Sequence, residues 1–327
     1  MLRLICGLES PDSGQIILAG REITRLPSRE RNIGMVFQDY GLYPHMNVFQ
    51  NIAYGLEARG MKKDEVTRRV NEAAAKLGLL PLLQRIIVDL SGGEQQRVAL
   101  ARALAKEADL HLFDEPLSNL DPKLRAQARR DIQMLHREKG KPTIYVTHDQ
   151  TEALAIGDRI GIIAKGQLQQ VGTAQELISK PANTFVAGFI GSPPMSLVHG
   201  KIALDKPGTG YEFQCEGFSL SLPRHWAVDH KNNDLILGIH PACIAQVGQV
   251  SSFPIGPENT IAAQVESVQP LIGETIVNLR AGKVAITAAF QEVDETLKPG
   301  DIIQVGIDIN TLCAFDPETG LALPEEG

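Results

Sequence analysis

The sequence has no long apolar run. Stretches such as "IGIIA" (160–164) fall far short of the roughly 18 consecutive apolar residues a membrane-spanning helix needs. That predicts a soluble chain whose membrane role, if any, comes through a partner. The opening "MLRLICGLESPDSG" reads poorly as a secretory leader: Arg3 interrupts the apolar run, Gly7 and Glu9 end it, and no A-x-A-like cleavage site follows. Cysteine is scarce, and Cys6, Cys215, Cys243 and Cys313 stand apart with no C-x-x-C pair and no His-rich cluster beside them. This favours buried free thiols in a reducing cytoplasm over disulfides or a zinc site. Basic residues are few in the second part. From Gly191 onward 7 Lys and Arg stand against 17 Asp and Glu, whereas the first 190 residues hold 25 and 22. Such an acidic half excludes a nucleic-acid face there, which would need clustered Lys and Arg. The charge step also suggests a domain boundary near 190.

At 327 residues, with 43% hydrophobic and 22% charged, the chain reads as an ordinary globular protein too long for one core, and two domains are expected. The first half alternates strand-like and helix-like segments. Strands are predicted at "QIILA" and "NIGMVFQ", and buried strands at "LHLF" and "TIYVT". Helices are predicted at "NVFQNIAYGLEARG", at "KKDEVTRRVNEAAAKLGL" with Val66, Val70, Ala73 and Leu77 on one face, through "GEQQRVALARALAK", and at "PKLRAQARRDIQMLHREKG". Short apolar strands alternating with helices predict a parallel sheet in an α/β fold. Beyond the Pro- and Gly-bearing linker "GSPPMS" the pattern changes to short runs divided by turn signals: "FSLSL", "LILGI", "TIVNL", "VAITAAF" and "IIQVGI". These predict a small all-β region of one or two barrels.

Three segments carry candidate chemistry. "LSGGEQQRVALARAL" places Ser91, Gly92 and Gly93 at a helix start, where free N–H groups and the helix dipole favour a phosphate. Taken alone, "SGG" reads better as a loop before a capped helix. In "LHLFDEP", Asp114 and Glu115 fall at the carboxyl end of a buried strand, the edge where open α/β sheets bind ligands. An Asp there can hold Mg²⁺ and the adjacent Glu can polarise an attacking water; a D-E pair before Pro also suits a plain helix start. "TIYVTH" repeats the geometry with His148, which can reach a γ-phosphate, or merely neighbour the helix caps Thr147 and Asp149.

With "LSGG", "LFDEP", "SNLD" and "VTHD" in this order, the chain resembles the ATP-binding subunits of ATP-binding cassette (ABC) transporters. "LSGGEQQR", with Ser91, Gly92, Gly93 and Gln95, looks like their signature motif. "LHLFDEP" is similar to their Walker B strand, "SNLD", ending in Asp121, to their D-loop, and His148 to their switch histidine. "GMVFQDYGLYPHMNVFQNI" resembles the Q-loop and its continuation, with Gln38 reaching Mg²⁺ and the attacking water. The resemblance implies a P-loop NTPase-type α/β core over 1–190 with a helical subdomain at about 42–90. It also implies a C-terminal regulatory β domain of OB-like barrels over 191–327, since "FVAGFIGSPPMSLVHG" and "AFDPETGLAL" look like importers of sugars and of sn-glycerol 3-phosphate. "LGIHPACI" departs from the Arg- and Glu-bearing version usual in that region.

By that resemblance Glu115, His148 and Gln38 are catalytic, Asp114 and Gln38 serve Mg²⁺, and Ser91, Gly92, Gly93, Gln95, Asp114 and Asp121 bind ATP, with the signature acting on the partner's nucleotide. The implied partners are two integral membrane permease subunits, a second copy of the ATPase subunit and, indirectly, a periplasmic or extracellular solute-binding protein, with no nucleic acid. The implied place is the cytoplasmic face of the inner membrane, held peripherally. Tyr40, Leu42, Tyr43 and Pro44 would lie near the permease contact or in the core of the helical subdomain.

One motif of the family is not found in the 327 residues: G-x-x-x-x-G-K-[ST], whose backbone cradles phosphates. "MLRLICGLE" resembles the helix that follows that loop, so the core reads as incomplete. The expectation is a start miscalled at an internal Met or a fragment, ahead of a true truncation or a degenerate partner subunit. Two other function classes compete: a catalytically inert cassette acting only through interactions, and a soluble DNA-repair-type cassette ATPase. The latter is disfavoured because neither heptad arms nor a basic stripe is present.

Overall fold

The strand expected over "QIILA" shrinks to two residues. β1 (Ile17–Leu18) pairs antiparallel with β2 (Arg21–Glu22), because Ala19 and Gly20 between them both have positive φ, 50° and 77°, and turn the chain back at once. This is a correction: the segment forms a hairpin and adds nothing to the parallel sheet. The computed structural model describes residues 1–204, 210–222, 233–291 and 296–323. The chain divides into two compact units, Met1–Gly157 and Asp158–Gly327.

In the first unit, α1 (Leu2–Ile5) is a single turn followed by Gly7 at φ 78°. Arg31, only 3% exposed, donates to the carbonyls of Leu4, Ile5, Thr24 and Leu26 at 2.7–2.9 Å. A buried guanidinium is thus neutralised by carbonyl dipoles, including those at a helix end. A Cβ on Gly7 would lie 2.5 Å from its Nε, so the turn needs glycine there.

β3 (Ile33–Val36), β4 (Leu110–Asp114) and β5 (Thr143–Val146) form the parallel sheet in the order β3-β4-β5. β4, flanked on both sides, is buried until Asp114. β5 was expected to be buried; it is half-buried along its whole length, since among the described strands it has one neighbour.

α2 (Val48–Glu57) and α3 (Lys63–Lys76) pack against α4 (Gly92–Ala105), and the predicted face of α3 is buried at Val66, Val70 and Ala73, with Leu77 beside it. Residues 98–101 of α4 are all 0% exposed. This middle turn is enclosed on every side, which fixes the direction of the helix. α5 (Pro122–Lys139) and α6 (Gln150–Ile156) follow β4 and β5.

In the second unit, β6 (Ile160–Ala164) and β7 (Gln167–Gly172) form an antiparallel hairpin, followed by α7 (Ala174–Ser179) and α8 (Thr184–Phe189). α8 packs with the strands beyond it: Ala187 shares an apolar cluster with Met195, Ile236 and Phe315, and Thr184 N donates to Gly320 O. The packing division therefore falls ahead of the charge step at 191.

β8 (Ser196–Leu204), β9 (Tyr211–Gln214), β10 (Ser219–Leu222) and β11 (Asp234–Ile239) join β17 (Cys313–Phe315) in one antiparallel sheet, ordered β10-β9-β8-β11-β17. β12 (Ile244–Gln246), β13 (Thr260–Pro270), β14 (Thr275–Ala281), β15 (Val284–Phe290) and β16 (Ile302–Ile307) form a second, ordered β12-β16-β13-β14-β15. Its outer strands β12 and β15 approach each other, so the sheet curls into a half-barrel, as the OB-like expectation requires. The turn before β10 meets the β14–β15 turn so closely that a Cβ on Gly217 would sit 1.8 Å from Ala281 O.

All four cysteines are free thiols as expected, but only Cys6 is buried; the other three are half-buried. Among the described residues no helix is long and apolar enough to cross a membrane.

Candidate functional site

Three adjacent parallel strands end at one edge, and each delivers a polar side chain there. Gln38 lies two residues past β3, Glu115 one past β4 and His148 two past β5. Glu115 Oε2 lies 3.0 Å from His148 Nδ1 and accepts from Gln38 Nε2 at 3.5 Å, contacts that span 33 and 77 residues of sequence.

The Glu115 backbone is unusual. It sits at φ 43°, a left-handed conformation that costs a non-glycine residue about 1–3 kcal/mol. Three hydrogen bonds hold it: Glu115 N donates to Val146 O at 2.9 Å, and Glu115 O accepts from Ser118 Oγ at 2.9 Å and from Ser118 N at 3.3 Å. The carboxylate side chain is 28% exposed and the imidazole 74%. The cluster is therefore open to a ligand, with a carboxylate that can accept a proton and two nitrogen-bearing groups that hydrogen-bond beside it.

Asp114, one residue earlier, is half-buried, and its carboxylate has no hydrogen-bond or ion-pair partner among the described residues. An unengaged carboxylate beside an amide and a second carboxylate suits a hard divalent cation and its waters. No group of three or more His, Cys, Asp or Glu able to hold a metal by itself occurs among the described residues, so any such ion needs oxygen ligands from a substrate as well.

The loop after Glu115 ties these parts together. Asn119 Nδ2 donates to Gln38 O at 3.1 Å. Asp121 caps α5, its Oδ1 accepting from Lys123 N at 3.0 Å and Leu124 N at 3.1 Å.

The start of α4 is organised separately. Ser91 is its N-cap in a capping box: Ser91 Oγ accepts from Glu94 N at 3.4 Å, while Glu94 Oε2 accepts from Ser91 N at 2.8 Å and Ser91 Oγ at 2.7 Å. Those bonds hold the Glu94 carboxyl below the usual carboxylate range. Sequence reasoning passed over Glu94, although Ser-x-x-Glu before an apolar run is a readable capping signal. The two glycines differ in purpose. A Cβ on Gly92 would face open space, whereas one on Gly93 would lie 2.8 Å from Leu124 Cδ1, so Gly93 lets α5 pack close. Gln95 turns backward, its Nε2 donating to Ile87 O at 3.2 Å and Leu90 O at 3.1 Å. Among the described residues no hydrogen bond or ion pair joins this helix start to the Gln38–Glu115–His148 cluster.

Comparison with known proteins bears on what this edge is. A family model described as "ABC transporter" matches residues 1–118. The sn-glycerol-3-phosphate import ATP-binding protein of Cupriavidus necator is 52% identical over 327 residues, covering 98% of this chain and 86% of that protein. The trehalose/maltose import ATP-binding protein of Thermococcus litoralis is 42% identical over 330 residues, covering 98% and 88%. This chain belongs to the ABC transporter ATP-binding proteins. The sulfoquinovosyl glycerol transport ATP-binding protein of Agrobacterium fabrum, 38% identical over 319 residues, covers 97% of it. Members of the family bind ATP, and the import subunits named here are ATPases coupled to import.

In this ABC ATP-binding protein the segment after Gln38 divides between core and surface. Tyr40 is 6% exposed and Leu42 packs on the helical core, Tyr43 is half-buried with its ring 4.7 Å from Tyr54, and Pro44 is exposed. Arg102 of α4 donates to Gly41 O at 2.6 Å and Tyr40 O at 2.7 Å, gripping the backbone just past Gln38. Burial pulls the Arg102 guanidinium below its ordinary value, yet it stays charged at neutral pH. In the "LGIHPACI" segment, His240 Nδ1 accepts from Ala242 N at 3.2 Å and burial lowers its pKa, so the ring serves the local turn.

Proposed function

We propose that this chain is the ATP-hydrolysing, energy-coupling subunit of a bacterial importer for sn-glycerol 3-phosphate or a related sugar. The observation that carries the reading is the meeting of Gln38 and His148 on the Glu115 carboxylate at the carboxyl edge of the central strand. In this reading Glu115 orients the attacking water and takes its proton. With Nδ1 engaged by Glu115, the His148 ring keeps Nε2 for a γ-phosphate oxygen, and Gln38 steadies the water from the other side. Asp114 and Gln38 would hold Mg²⁺, which when bound offsets phosphate charge. Ser91, Gly92 and Gly93 serve the nucleotide of a second copy, Gln95 by shaping the loop before them and Asp121 by setting the direction of α5.

The sequence relatives support the rest. Partners are two membrane permease subunits, a second ATPase subunit and, indirectly, a solute-binding protein, and the chain works peripherally at the cytoplasmic face of the membrane. Residues 1–190 are the ATPase domain with its helical subdomain at about 42–90, and 191–327 the regulatory β domain.

The test is ATP turnover by the chain assembled with its permease subunits. Glu115→Gln should lower turnover by about 10²-fold or more while leaving nucleotide binding in place. Wild-type turnover in that variant would refute the role. A second reading is a catalytically inert cassette acting through interactions alone. It predicts that the chain fails to bind Mg·ATP and that Glu115→Gln leaves transport unchanged.

A further inference from the structure

Behind the Gln38–Glu115–His148 cluster lies a second polar cluster that the proposed chemistry does not use. At its centre is Glu152 of α6, only 4% exposed. Its Oε2 accepts from Tyr145 Oη and from Thr147 Oγ1, both at 2.9 Å, and Thr147 Oγ1 in turn accepts from Asp149 N at 3.0 Å. Burial and the Glu152 carboxylate push the Tyr145 hydroxyl well above its ordinary value, so it remains a donor to Glu152 at any physiological pH. On the other side stands Arg125 of α5. Its Nε lies 3.9 Å from Glu152 Oε1, one terminal nitrogen lies 3.6 Å from Asp149 Oδ2, and the other donates to Leu120 O at 3.2 Å.

These contacts link two pieces of chain. Leu120 belongs to the loop that begins at Glu115 and carries Asn119, which holds Gln38. Thr147 and Asp149 flank His148. The imidazole itself has little to fix it: the side chain is 74% exposed and among the described residues meets one polar partner, Glu115. An exposed pair of that kind contributes little and cannot by itself hold a geometry. The backbone on either side must do so, and it is anchored through a buried carboxylate. A cavity of about 40 Å³, lined by Glu115, Ser118, Arg125, His148 and Glu152 among others, separates the two clusters, so Arg125 and Glu152 act on the imidazole through the backbone.

We infer that Arg125 and Glu152 are positioning residues for His148: they lock residues 147–149 to the Leu120 carbonyl, so that movement of the 118–121 loop carries the imidazole with it. The inference rests on the hydrolytic reading only for its consequence; the geometry it claims can be read without nucleotide. One hydrogen bond, to Leu120 O, and two longer ion-pair contacts diverge from one planar fork whose Nε makes no hydrogen bond, and the single ammonium of a lysine does not match that shape.

The test is the NMR spectrum of the whole chain with ¹³Cε1-labelled histidine, recorded without nucleotide at one pH. His148 is assigned among the eight histidines by its loss in His148→Gln. In the wild type, Glu115→Gln shifts the His148 resonance. Arg125→Lys keeps the charge and the aliphatic stem, so its unfolding midpoint stays near wild type. Its His148 resonance is expected to move, and the further shift caused by Glu115→Gln to shrink or vanish. Glu152→Gln, which keeps the shape of the side chain, is expected to act in the same direction.

The proposal is overturned if folded Arg125→Lys and Glu152→Gln both leave the His148 resonance and its response to Glu115→Gln unchanged. Arg125→Ala may be omitted if it unfolds, since the two conservative variants decide. Should ATP turnover prove independent of Glu115 while His148 still moves in Arg125→Lys, the hydrolytic reading falls and the positioning role stands.

Discussion

At the carboxyl edge of the parallel sheet, side chains 33 and 77 residues apart in sequence meet through single polar contacts in half-exposed positions. In the β-rich unit, residues as distant meet through apolar packing and through backbone so close that only glycine fits. The first arrangement leaves carboxylates, an imidazole and a strained residue open to solvent. The second leaves its core apolar and its main-chain groups paired in two ladders. Polar, under-packed edges are where chemistry is carried, and they depend on a well-packed body to hold them. Because each unit has its own apolar clusters, damage to one should be readable apart from the other.

The largest effect should come from the close approach in the β-rich unit. Any Cβ on Gly217 lies within bonding distance of Ala281 O, and the neighbour is backbone that cannot step aside. Gly217→Val is expected to cost more than about 4 kcal/mol, at the exceptional end for one substitution. Hydrogen exchange read by mass spectrometry should show amides of β8 to β16 losing protection while β4 and α4 keep theirs. Equal loss in both would show that the two units do not fold separately.

Phe113→Ala sharpens the contrast from the other side. Phe113 is 0% exposed in the core beneath the site, and truncating it should cost about 3–5 kcal/mol. Protection should fall in β3, β4 and α4 and persist in β13 to β15. Smaller again is Asp121→Ala, which removes the cap of α5 and should cost about 1 kcal/mol, seen as a lowered urea midpoint with an unchanged slope. A change in slope would mean that the cap also shapes the unfolded or native ensemble.

How far the site was legible depended on whether its signals were local. Asp114, Glu115 and His148 were readable because each follows an apolar strand, and strand ends are where side chains leave the core. Ser91 and the glycines were readable as a helix start. Arg125 and Glu152 were not. In "PKLRAQARR" Arg125 is one of several cations on a helix, and only the packing of α5 on α6 distinguishes it from a solvated charge. Arg31 is hidden in "SRERN" for the same reason. The half-burial of β5 and the packing division at Gly157 were missed because apolarity and charge describe residues one at a time, whereas both features depend on which strands lie beside which.

A pH-dependent effect lies at the opposite, amino end of the same sheet. Lys106, past the end of α4, donates through Nζ to Ile33 O at the start of β3. Burial, with Arg59 adding to it, pulls its pKa from 10.5 down to about 8. The sign follows directly. A folded-state pKa below the unfolded one means that between about pH 8 and 10.5 the unfolded chain holds more protons, so stability contributed by this residue rises with pH across that window. Below it the cost of the half-buried ammonium is fully present; above it the cost is gone. Other lysines and tyrosines titrate in the same range, so the measurement is a difference. Wild type and Lys106→Met are unfolded in urea at several pH values from about 7.5 to 10.5. Wild type should gain on the variant steadily as pH rises. A constant difference would show that the ammonium is as well solvated folded as unfolded, and that the amino end of the sheet is as open as the carboxyl edge where Glu115 and His148 meet.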